Sequence, residues 1–193
     1  MKRLFDLAAT IAAAPLWLPL FAFAALLAAI SGCGGVFFRQ QRAGLGGRVF
    51  TMLKFRTMRP SPGSDMERTT RIGSFLRATS LDELPQLLHV LSGKMSLVGP
   101  RPLPAKYLPR YSAFQARRHE VRPGLTGWAQ INGRNAISWE EKFALDVWYV
   151  DNASFLLDMK ILAATVLKVL SRKGVNSSRE ETMEEFMPGD VRP

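Results

Sequence analysis

An almost unbroken apolar stretch near the amino terminus constrains the fold of this chain more than any other feature. It runs from residue 7 to residue 30, and Thr10 is its only polar side chain. A run of about 20 apolar residues is long enough to cross a bilayer. The stretch is too long and too rich in proline for a usual signal peptide, and it has no convincing small-residue cleavage site. Three interpretations therefore compete: a spanning helix, a cleaved signal and a re-entrant hairpin.

Two prolines and the charges at both ends favour the hairpin. Pro15 and Pro19 lie near the middle of the stretch, and each removes a backbone donor and favours a kink. Basic residues lie on both sides, Lys2 and Arg3 before the stretch and Arg39, Arg42 and Arg48 after it. The positive-inside rule places both flanks in the cytoplasm, whereas a straight span would leave one outside. We therefore expect a re-entrant hairpin, with a tolerated kink in a single span as the alternative.

The second informative feature is a pair of adjacent carboxylates, Asp82 and Glu83. They precede leucines that have the spacing of one apolar helix face, Leu84, Leu87, Leu88 and Leu91. Ser80 and Glu83 have the spacing of a capping box, which by itself is the usual meaning of such a pattern. Pro85 disfavours a helical residue before it, so the helix can also begin there. The acids then lie either in the first helical turn or on the loop before it.

The surroundings of the acids suggest a site for phosphate and a metal. Arg77 lies one helical turn before them, and Arg101 is held between Pro100 and Pro102. The chain has one cysteine and two histidines, which excludes a cysteine zinc site and a histidine-rich metal site. Any metal here would be bound by oxygen, which indicates magnesium or manganese.

The charge balance narrows the classes of partner. The 193 residues include 26 basic and 16 acidic side chains, for a formal net charge of +10. This excess suits nucleic acid, anionic lipid or a phosphorylated substrate. No helix-turn-helix, zinc-finger or RNA-binding pattern occurs, so we expect no nucleic acid partner. The length allows one domain and an anchor.

The middle of the chain contains a predicted β-hairpin at residues 36–58. Residues 36–38 and 49–53 are strand-like, and the glycines of residues 43–47 form the turn. Period-two alternation places Lys54 and Arg56 on one face. We expect a short helix at residues 70–78 and turn or extended chain at residues 94–104.

The last third is predicted to be a loop followed by two helices. Arg117 and Arg118 are expected to be a solvated or lipid-facing pair. Residues 122–135 form a glycine-rich loop that suits a nucleotide, although Trp128 can equally be a core residue. A capping box at residues 138–141 begins one helix. A second helix at residues 155–172 lies either in the membrane interface or on the core.

Several long motifs in a fixed order resemble those of the bacterial sugar transferases. These are LRATSLDELPQ at residues 76–86, GKMSLVGPRP at 93–102, KFRTM at 54–58 and RPGLTGWAQINGRN at 122–135. Family members typically open with a Lys-Arg-x-x-Asp stretch, which residues 2–6 match. They break the membrane helix at a Ser-Pro pair, where this chain has Ala14 before Pro15. Alanine cannot bond back to a freed carbonyl as serine does, and Pro19 is a candidate for supplying the bend instead.

The resemblance implies a monotopic membrane protein that is mainly α-helical with a small β-hairpin. Residues 1–35 would form the re-entrant hairpin, and residues 36–193 a catalytic domain with interfacial helices on the cytoplasmic face of the bacterial inner membrane. The implied reaction moves a phosphosugar from a UDP-sugar to polyprenol (undecaprenyl) phosphate and releases UMP. This would be the first membrane step of polysaccharide or glycoconjugate assembly.

The same resemblance assigns roles to residues of this chain. Asp82 would be the nucleophile that carries a covalent phosphosugar, and Asp82 and Glu83 would bind Mg²⁺ or Mn²⁺. Substrate phosphates would be held by Lys54, Arg56, Arg77, Arg101, Arg122 and Arg134. Two alternatives stay open: direct transfer with Asp82 as general base, and a non-enzymatic adaptor that binds anionic membrane lipids. The oligomeric state is also open, a homodimer included.

Overall fold

The apolar stretch forms two helices that meet at a sharp bend. The computed structural model describes residues 1–133, 137–170 and 185–187. Helix α1 spans Lys2–Ala12 and helix α2 spans Ala14–Ile30, with 65° between them. Among the described residues no single helix is long and apolar enough to cross a membrane, although the bent pair together has the necessary length and composition.

The bend lies before Pro15, and a tryptophan satisfies a carbonyl beside it. Pro15 is near the amino-terminal end of α2 and has no N–H to donate into α1. Trp17 Nε1 donates a hydrogen bond of 2.9 Å to the carbonyl of Thr10. An indole thus supplies the donor that a serine at position 14 would otherwise provide. Pro19 lies inside α2, away from the break.

The predicted β-hairpin is confirmed, and its strands are longer than predicted. Strand β1 (Phe37–Ala43) pairs antiparallel with strand β2 (Val49–Phe55). Gly46 and Gly47 have φ values of 61° and 73° in the connecting turn, a region that favours glycine. The full length of β1 was not predicted, because four polar residues in succession, two of them exposed, break its apolar pattern.

Seven further α-helices follow the hairpin in the residues that the structure describes. The helices are α3 (Asp65–Arg68), α4 (Arg71–Ala78), α5 (Gln86–Leu91), α6 (Ala113–Ala116), α7 (Trp128–Asn132), α8 (Trp139–Asn152) and α9 (Phe155–Leu170). The helix predicted at residues 70–78 is therefore confirmed, with Thr70 as its cap. The capping box of Ser138 and Glu141 is also present at the start of α8.

A short parallel sheet replaces two segments that were predicted to be irregular. Strand β3 (Ser96–Val98) pairs with strand β4 (Gly124–Thr126). The prediction of a glycine-rich loop at residues 122–135 was therefore wrong for β4 and α7. A Cβ atom on Gly124 would lie 2.1 Å from the backbone nitrogen of Gly99, so the two segments approach closely because Gly124 has no side chain.

The second apolar helix shares a core with the hairpin. Ala24 and Ala28 of α2 are fully buried and pack in one cluster with Phe55 of β2 and Leu76 of α4. A second cluster joins β3, α8 and α9, and a third surrounds Phe186 near the carboxyl terminus. The helix pair is thus packed against the elements on either side of the two acids.

Helix α1 is attached to the rest of the chain by its polar residues. Lys2 forms an ion pair with Asp158 of α9. Arg3 donates to two backbone carbonyls at the end of α5 at 2.5 and 2.9 Å. Asp6 is buried and accepts a hydrogen bond of 2.8 Å from Ser96 of β3. Lys2 and Arg3 are therefore both bound to protein groups, and they fix α1 against α9 and α5.

Candidate active site

The two acids lie on a 3₁₀ turn, Leu81–Glu83, rather than inside an α-helix. Ser80 has a left-handed backbone with φ of 57° and makes no side-chain cap, so the predicted capping box was wrong. Helix α5 begins at Gln86, directly after Pro85, which cannot donate a backbone hydrogen bond. The alternative prediction, with the acids on the segment before the helix, is confirmed.

Two cations converge on one oxygen of Glu83. Lys54 Nζ donates to Oε1 at 2.6 Å, and Arg101 Nη2 donates to the same oxygen at 2.5 Å. The Glu83 side chain is 20% exposed. Burial alone would raise the pKa of Glu83, but the charges and hydrogen bonds of Arg101 and Lys54 outweigh it and hold that pKa well below its usual range. Glu83 is therefore firmly ionised.

Asp82 has the opposite environment. Its side chain is 12% exposed, and the nearest cationic atom is Lys54 Nζ at 4.0 Å. Within the described part of the chain, no donor forms a hydrogen bond to its carboxyl group. Burial raises the pKa of Asp82 to about 6, and the negative charge of Glu83 adds to this shift. One acid of the pair is thus stabilised as an anion, and the other is not.

The remaining predicted cations lie at varying distances from the acids. Arg77 is on the exposed side of α4, 3.5 Å from Thr69 Oγ1, and its charge acts on Asp82 without contact. Arg56 follows β2 and donates to the carbonyl of Phe37 at 3.1 Å. Arg122 is exposed and donates to a backbone carbonyl at 3.1 Å. Arg134 lies outside the described residues. The structure thus brings Lys54 and Arg101 to the acids.

An unpredicted ion pair lies behind Arg101. Arg118 was expected to be solvated or lipid-facing, and that prediction was wrong, because its side chain is only 1% exposed. It donates at 2.7 Å to Asp146 of α8, whose side chain is 3% exposed. Arg117, by contrast, pairs at the surface with Asp151. The two pairs are indistinguishable in sequence, since each joins an arginine to an acid about 30 residues further along the chain.

A comparison with known proteins decides the family. The family model described as bacterial sugar transferase matches residues 1–172 of this chain. The chain belongs to the bacterial sugar transferase family. It is therefore a transferase enzyme, and the resemblance seen in its motifs is confirmed over most of its length.

Three relatives differ in how much of their length this transferase matches. The sugar transferase EpsL of Bacillus subtilis (strain 168) is 54% identical over 99% of this chain and 98% of that protein. The UDP-glucose:undecaprenyl-phosphate glucose-1-phosphate transferase of Xanthomonas campestris pv. campestris is 43% identical over 86% of this chain, which spans 37% of that protein. The Caulobacter vibrioides protein of the same name is 41% identical over 88% of this chain and 70% of its own length.

Trp128 of this transferase is half-buried and packs at the edge of the protein core. Its ring stacks on Trp148 with centroids 4.7 Å apart and an interplanar angle of 25°. Lys160 Nζ lies 5.8 Å from the same ring, and Trp128 packs against the cluster of β3, α8 and α9. One ring face is therefore covered, which supports the alternative of a core residue, while a nucleotide site in this segment stays a prediction.

The two acids fit a magnesium ion that is shared with phosphate. Mg²⁺ in phosphate-handling sites is usually bound by one or two carboxylates, with water and phosphate oxygens completing its coordination. Asp82 and Glu83 supply two such groups. Burial raises the pKa of Asp82, the negative charge of Glu83 raises it further, and a bound cation would counteract both effects. Glu83 Oε1 is already shared by two cations, so Oε2 is its less occupied oxygen. No cluster of three metal-binding side chains exists among the described residues.

Proposed function

We propose that this transferase moves a phosphosugar from a UDP-sugar to undecaprenyl phosphate and releases UMP, as the first membrane step of exopolysaccharide or glycoconjugate assembly. Family membership and the names of the Xanthomonas and Caulobacter relatives support this substrate class. The observation that carries the proposal is the unequal environment of two adjacent acids, beside two cations that can meet a pyrophosphate.

Asp82 is assigned as the nucleophile because it is the less stabilised carboxylate. An oxygen of Asp82 attacks the phosphorus that carries the sugar, and the bond from that phosphorus to the bridging oxygen breaks. UMP leaves with the bridging oxygen and its electron pair. A phosphate oxygen of the lipid then attacks the same phosphorus and releases the Asp82 carboxylate. The two displacements require no oxidant and no net proton transfer.

Glu83 is assigned to hold the cations rather than to react. Its carboxylate fixes the ammonium of Lys54 and the guanidinium of Arg101 before substrate arrives, so little reorganisation is needed when negative charge develops on the leaving phosphate. Magnesium, bound by Asp82 and Glu83, would supply further neutralisation of the pyrophosphate. Arg77 is placed to add long-range positive potential at Asp82.

The acceptor lipid accounts for the exposed apolar surface of the protein. Large apolar side chains are exposed on the helix pair, namely Leu4, Ile11, Leu16, Leu18, Leu20, Phe23, Leu26 and Ile30. Others are exposed on α9, namely Phe155, Leu156, Val166 and Leu167. Surfaces of this kind mark membrane contact in a protein that needs a lipid substrate. We infer that the helix pair enters the cytoplasmic leaflet of the inner membrane and returns to the same side.

A direct transfer is the second candidate mechanism, because a carboxylate with a pKa of about 6 also suits a general base. Intact-protein mass spectrometry separates the two mechanisms. Purified enzyme is mixed with magnesium and with UDP-glucose, UDP-galactose or UDP-N-acetylgalactosamine, without lipid, and is quenched rapidly. The covalent mechanism predicts that the protein gains the mass of one phosphosugar and releases no more than one equivalent of UMP. When undecaprenyl phosphate is added, the adduct should be discharged and UMP release should continue with turnover.

Variants assign the adduct to one acid. Asp82→Asn should form no adduct, because a neutral amide is a poor nucleophile, whereas Glu83→Gln should form it slowly. Asp151→Asn, at an exposed acid of α8, is the matched control and should behave as wild type. A wild-type enzyme that turns over with lipid but never shows the adduct would establish direct transfer. Absence of UMP release with every UDP-sugar tested, with and without lipid, would refute the proposed reaction.

A further inference from the structure

Three successive backbone carbonyls around Arg101 are each held by a donor from a different part of the chain. The carbonyl of Pro100 accepts from the backbone N–H of Gly124 at 3.0 Å. The carbonyl of Arg101 accepts from Arg118 Nη2 at 2.7 Å. The carbonyl of Pro102 accepts from Arg42 Nη1 at 2.9 Å. Three hydrogen bonds and the restricted φ of the two flanking prolines therefore hold the backbone that carries the Arg101 side chain.

Arg118 is itself fixed before it reaches Arg101. Its Nε and Nη2 atoms both donate to Asp146 Oδ2, at 3.1 and 2.7 Å. Its guanidinium carbon lies 5.5 Å from the centre of the Phe143 ring, and Nη1 is 3.4 Å from the hydroxyl of Tyr111. The Arg118 Nη2 group therefore bridges an acid of α8 and the backbone of the segment that presents Arg101.

Because this ion pair is buried, a contribution to folding stability is a poor explanation for its presence. Moving two charges out of water is costly, and replacing a buried pair by apolar residues of similar volume is often neutral or stabilising. A surface pair would give the chain the same link between residues 117–119 and α8, as Arg117 and Asp151 do nearby. What the surface pair lacks is a donor that reaches the carbonyl of Arg101.

Small displacements of Arg101 matter because its guanidinium reaches the catalytic turn. Arg101 Nη2 donates to Glu83 Oε1 at 2.5 Å, while Nη1 lies 3.5 Å from Oε2. A misplacement of about 1 Å in a positioned group costs on the order of 100-fold in rate. We propose that Arg118, held by Asp146, is a positioning residue for the transfer reaction, which fixes the Arg101 backbone so that its guanidinium meets Glu83 and the phosphates of the donor. This inference rests on the proposed function.

The first test replaces the ion pair without leaving an unpaired charge. Arg118→Met combined with Asp146→Leu keeps the interior apolar and filled but removes the donor to Arg101. Arg117→Met combined with Asp151→Leu is the matched control, since it removes the neighbouring ion pair between α8 and the short 3₁₀ helix Arg117–His119, which also carries Arg118. With the UDP-sugar that wild type uses fastest of the three named above, kcat for UMP release should fall about 10- to 100-fold in the first variant and less than twofold in the control.

The melting temperature of each variant shows whether a loss of activity comes from a loss of fold. The Arg118/Asp146 variant should melt within a few degrees of wild type or higher, as expected when a buried pair is exchanged for apolar packing. Where it melts lower, Arg118→Lys is used, because it keeps a cation beside Asp146 but lacks the second arm that reaches the carbonyl. Wild-type kcat in a folded variant of either kind would overturn the inference.

A double-mutant cycle shows whether Arg118 acts through Arg101. Combined with Arg101→Ala, the Arg118/Asp146 change should cost little further activity, because the group that it positions is already absent. An equal fold-loss in the presence and absence of the Arg101 side chain would overturn the inference. Assays use enough enzyme to measure the slow Arg101→Ala background.

Nitrogen relaxation of the arginine side chains provides a readout that needs no turnover. The Nε–H signal of Arg101, assigned by its loss in Arg101→Lys, should show greater picosecond-to-nanosecond mobility in the Arg118/Asp146 variant than in wild type or the Arg117/Asp151 control. Unchanged mobility would overturn the inference. If wild type turns over no UDP-sugar, the proposed function fails, yet this measurement still tests the positioning of Arg101.

Discussion

Lys54 Nζ lies 2.6 Å from Glu83 Oε1 and 4.0 Å from Asp82 Oδ2. The single ammonium of the hairpin therefore binds one acid closely and leaves the other without a hydrogen bond to it. The difference arises because β2 packs against the 3₁₀ turn, so that strand and turn determine which carboxylate is neutralised.

Removal of this ammonium should slow the reaction while the protein stays folded. We expect Lys54→Met to reduce kcat/KM for UMP release about 100-fold, the size of effect seen when one preorganised donor is lost from a charge-stabilising site. Arg48→Met removes an exposed cation at the turn of the same hairpin and should change the rate less than twofold. Near-wild-type kinetics of Lys54→Met would exclude Lys54 from the site.

Asp82 should destabilise the metal-free protein at neutral and alkaline pH. Its folded pKa of about 6 exceeds the usual value of 3.8, so the folded state binds the extra proton between these pH values. The stability that this proton contributes is complete below about pH 4 and is lost as the pH rises through 6, a change of about 3 kcal/mol. Asp82→Asn does not titrate and escapes this loss.

The measurement for Asp82 is a difference between two proteins. In chelator, the unfolding free energy of Asp82→Asn minus that of wild type should increase from pH 4 to pH 7 and then level off. A flat difference would mean that the Asp82 carboxyl group is not shifted in the folded protein.

Metal removal should abolish turnover. We expect no UMP release in excess EDTA and recovery on addition of magnesium or manganese, because Asp82 and Glu83 offer hard oxygen ligands. The control is EDTA already saturated with magnesium, which should have no effect. Full activity in excess free EDTA would leave Lys54 and the arginines to neutralise the phosphates alone.

The indole of Trp17 should be replaceable by a serine at position 14. Trp17→Phe removes the donor to the Thr10 carbonyl and should lower stability in detergent by about 1–3 kcal/mol. Adding Ala14→Ser should restore part of that loss, because a helical serine hydroxyl can bond back to the carbonyl four residues earlier. Ala12→Ser, two residues before the required position, is the control that should not rescue.

The two ends of the helix pair should lie on the same side of the membrane. Cys33 is buried and is first replaced by alanine. Single cysteines are then placed after Met1 and at position 48. In intact cells both should be protected from an impermeant thiol reagent, and both should react after lysis. Labelling of the amino-terminal cysteine alone in intact cells would indicate a straight span.

The features predicted correctly from sequence were those marked by a long apolar run or by turn and capping residues. The hairpin was marked by glycines, α8 by its capping box, and the apolar helices by an unbroken run. Lys54 and Arg101 were chosen by motif, and both contact Glu83. By contrast, β3 and β4 have three residues each, too few for a period of two to be recognised.

The missed features depend on pairing across the fold. Arg118 and Asp146 are 28 residues apart, and neither carries a local signal that separates it from Arg117 and Asp151. The prediction of a Ser80 cap failed because local spacing does not reveal the left-handed backbone at that serine. Burial and charge partners of this kind become visible only when the chain has been folded.

The alanines of α2 have a consequence for protein engineering. Ala24 and Ala28 are fully buried against Phe55 and Leu76, so the inner face of the apolar helix and the hairpin share one hydrophobic core. A truncation that removes the helix would remove one side of this core and expose aromatic side chains to water. A chimera with the amino-terminal helices of another family member would likewise contain only one of the two surfaces that pack together. Such a graft should function only if its new small side chains match the aromatic residues of the recipient.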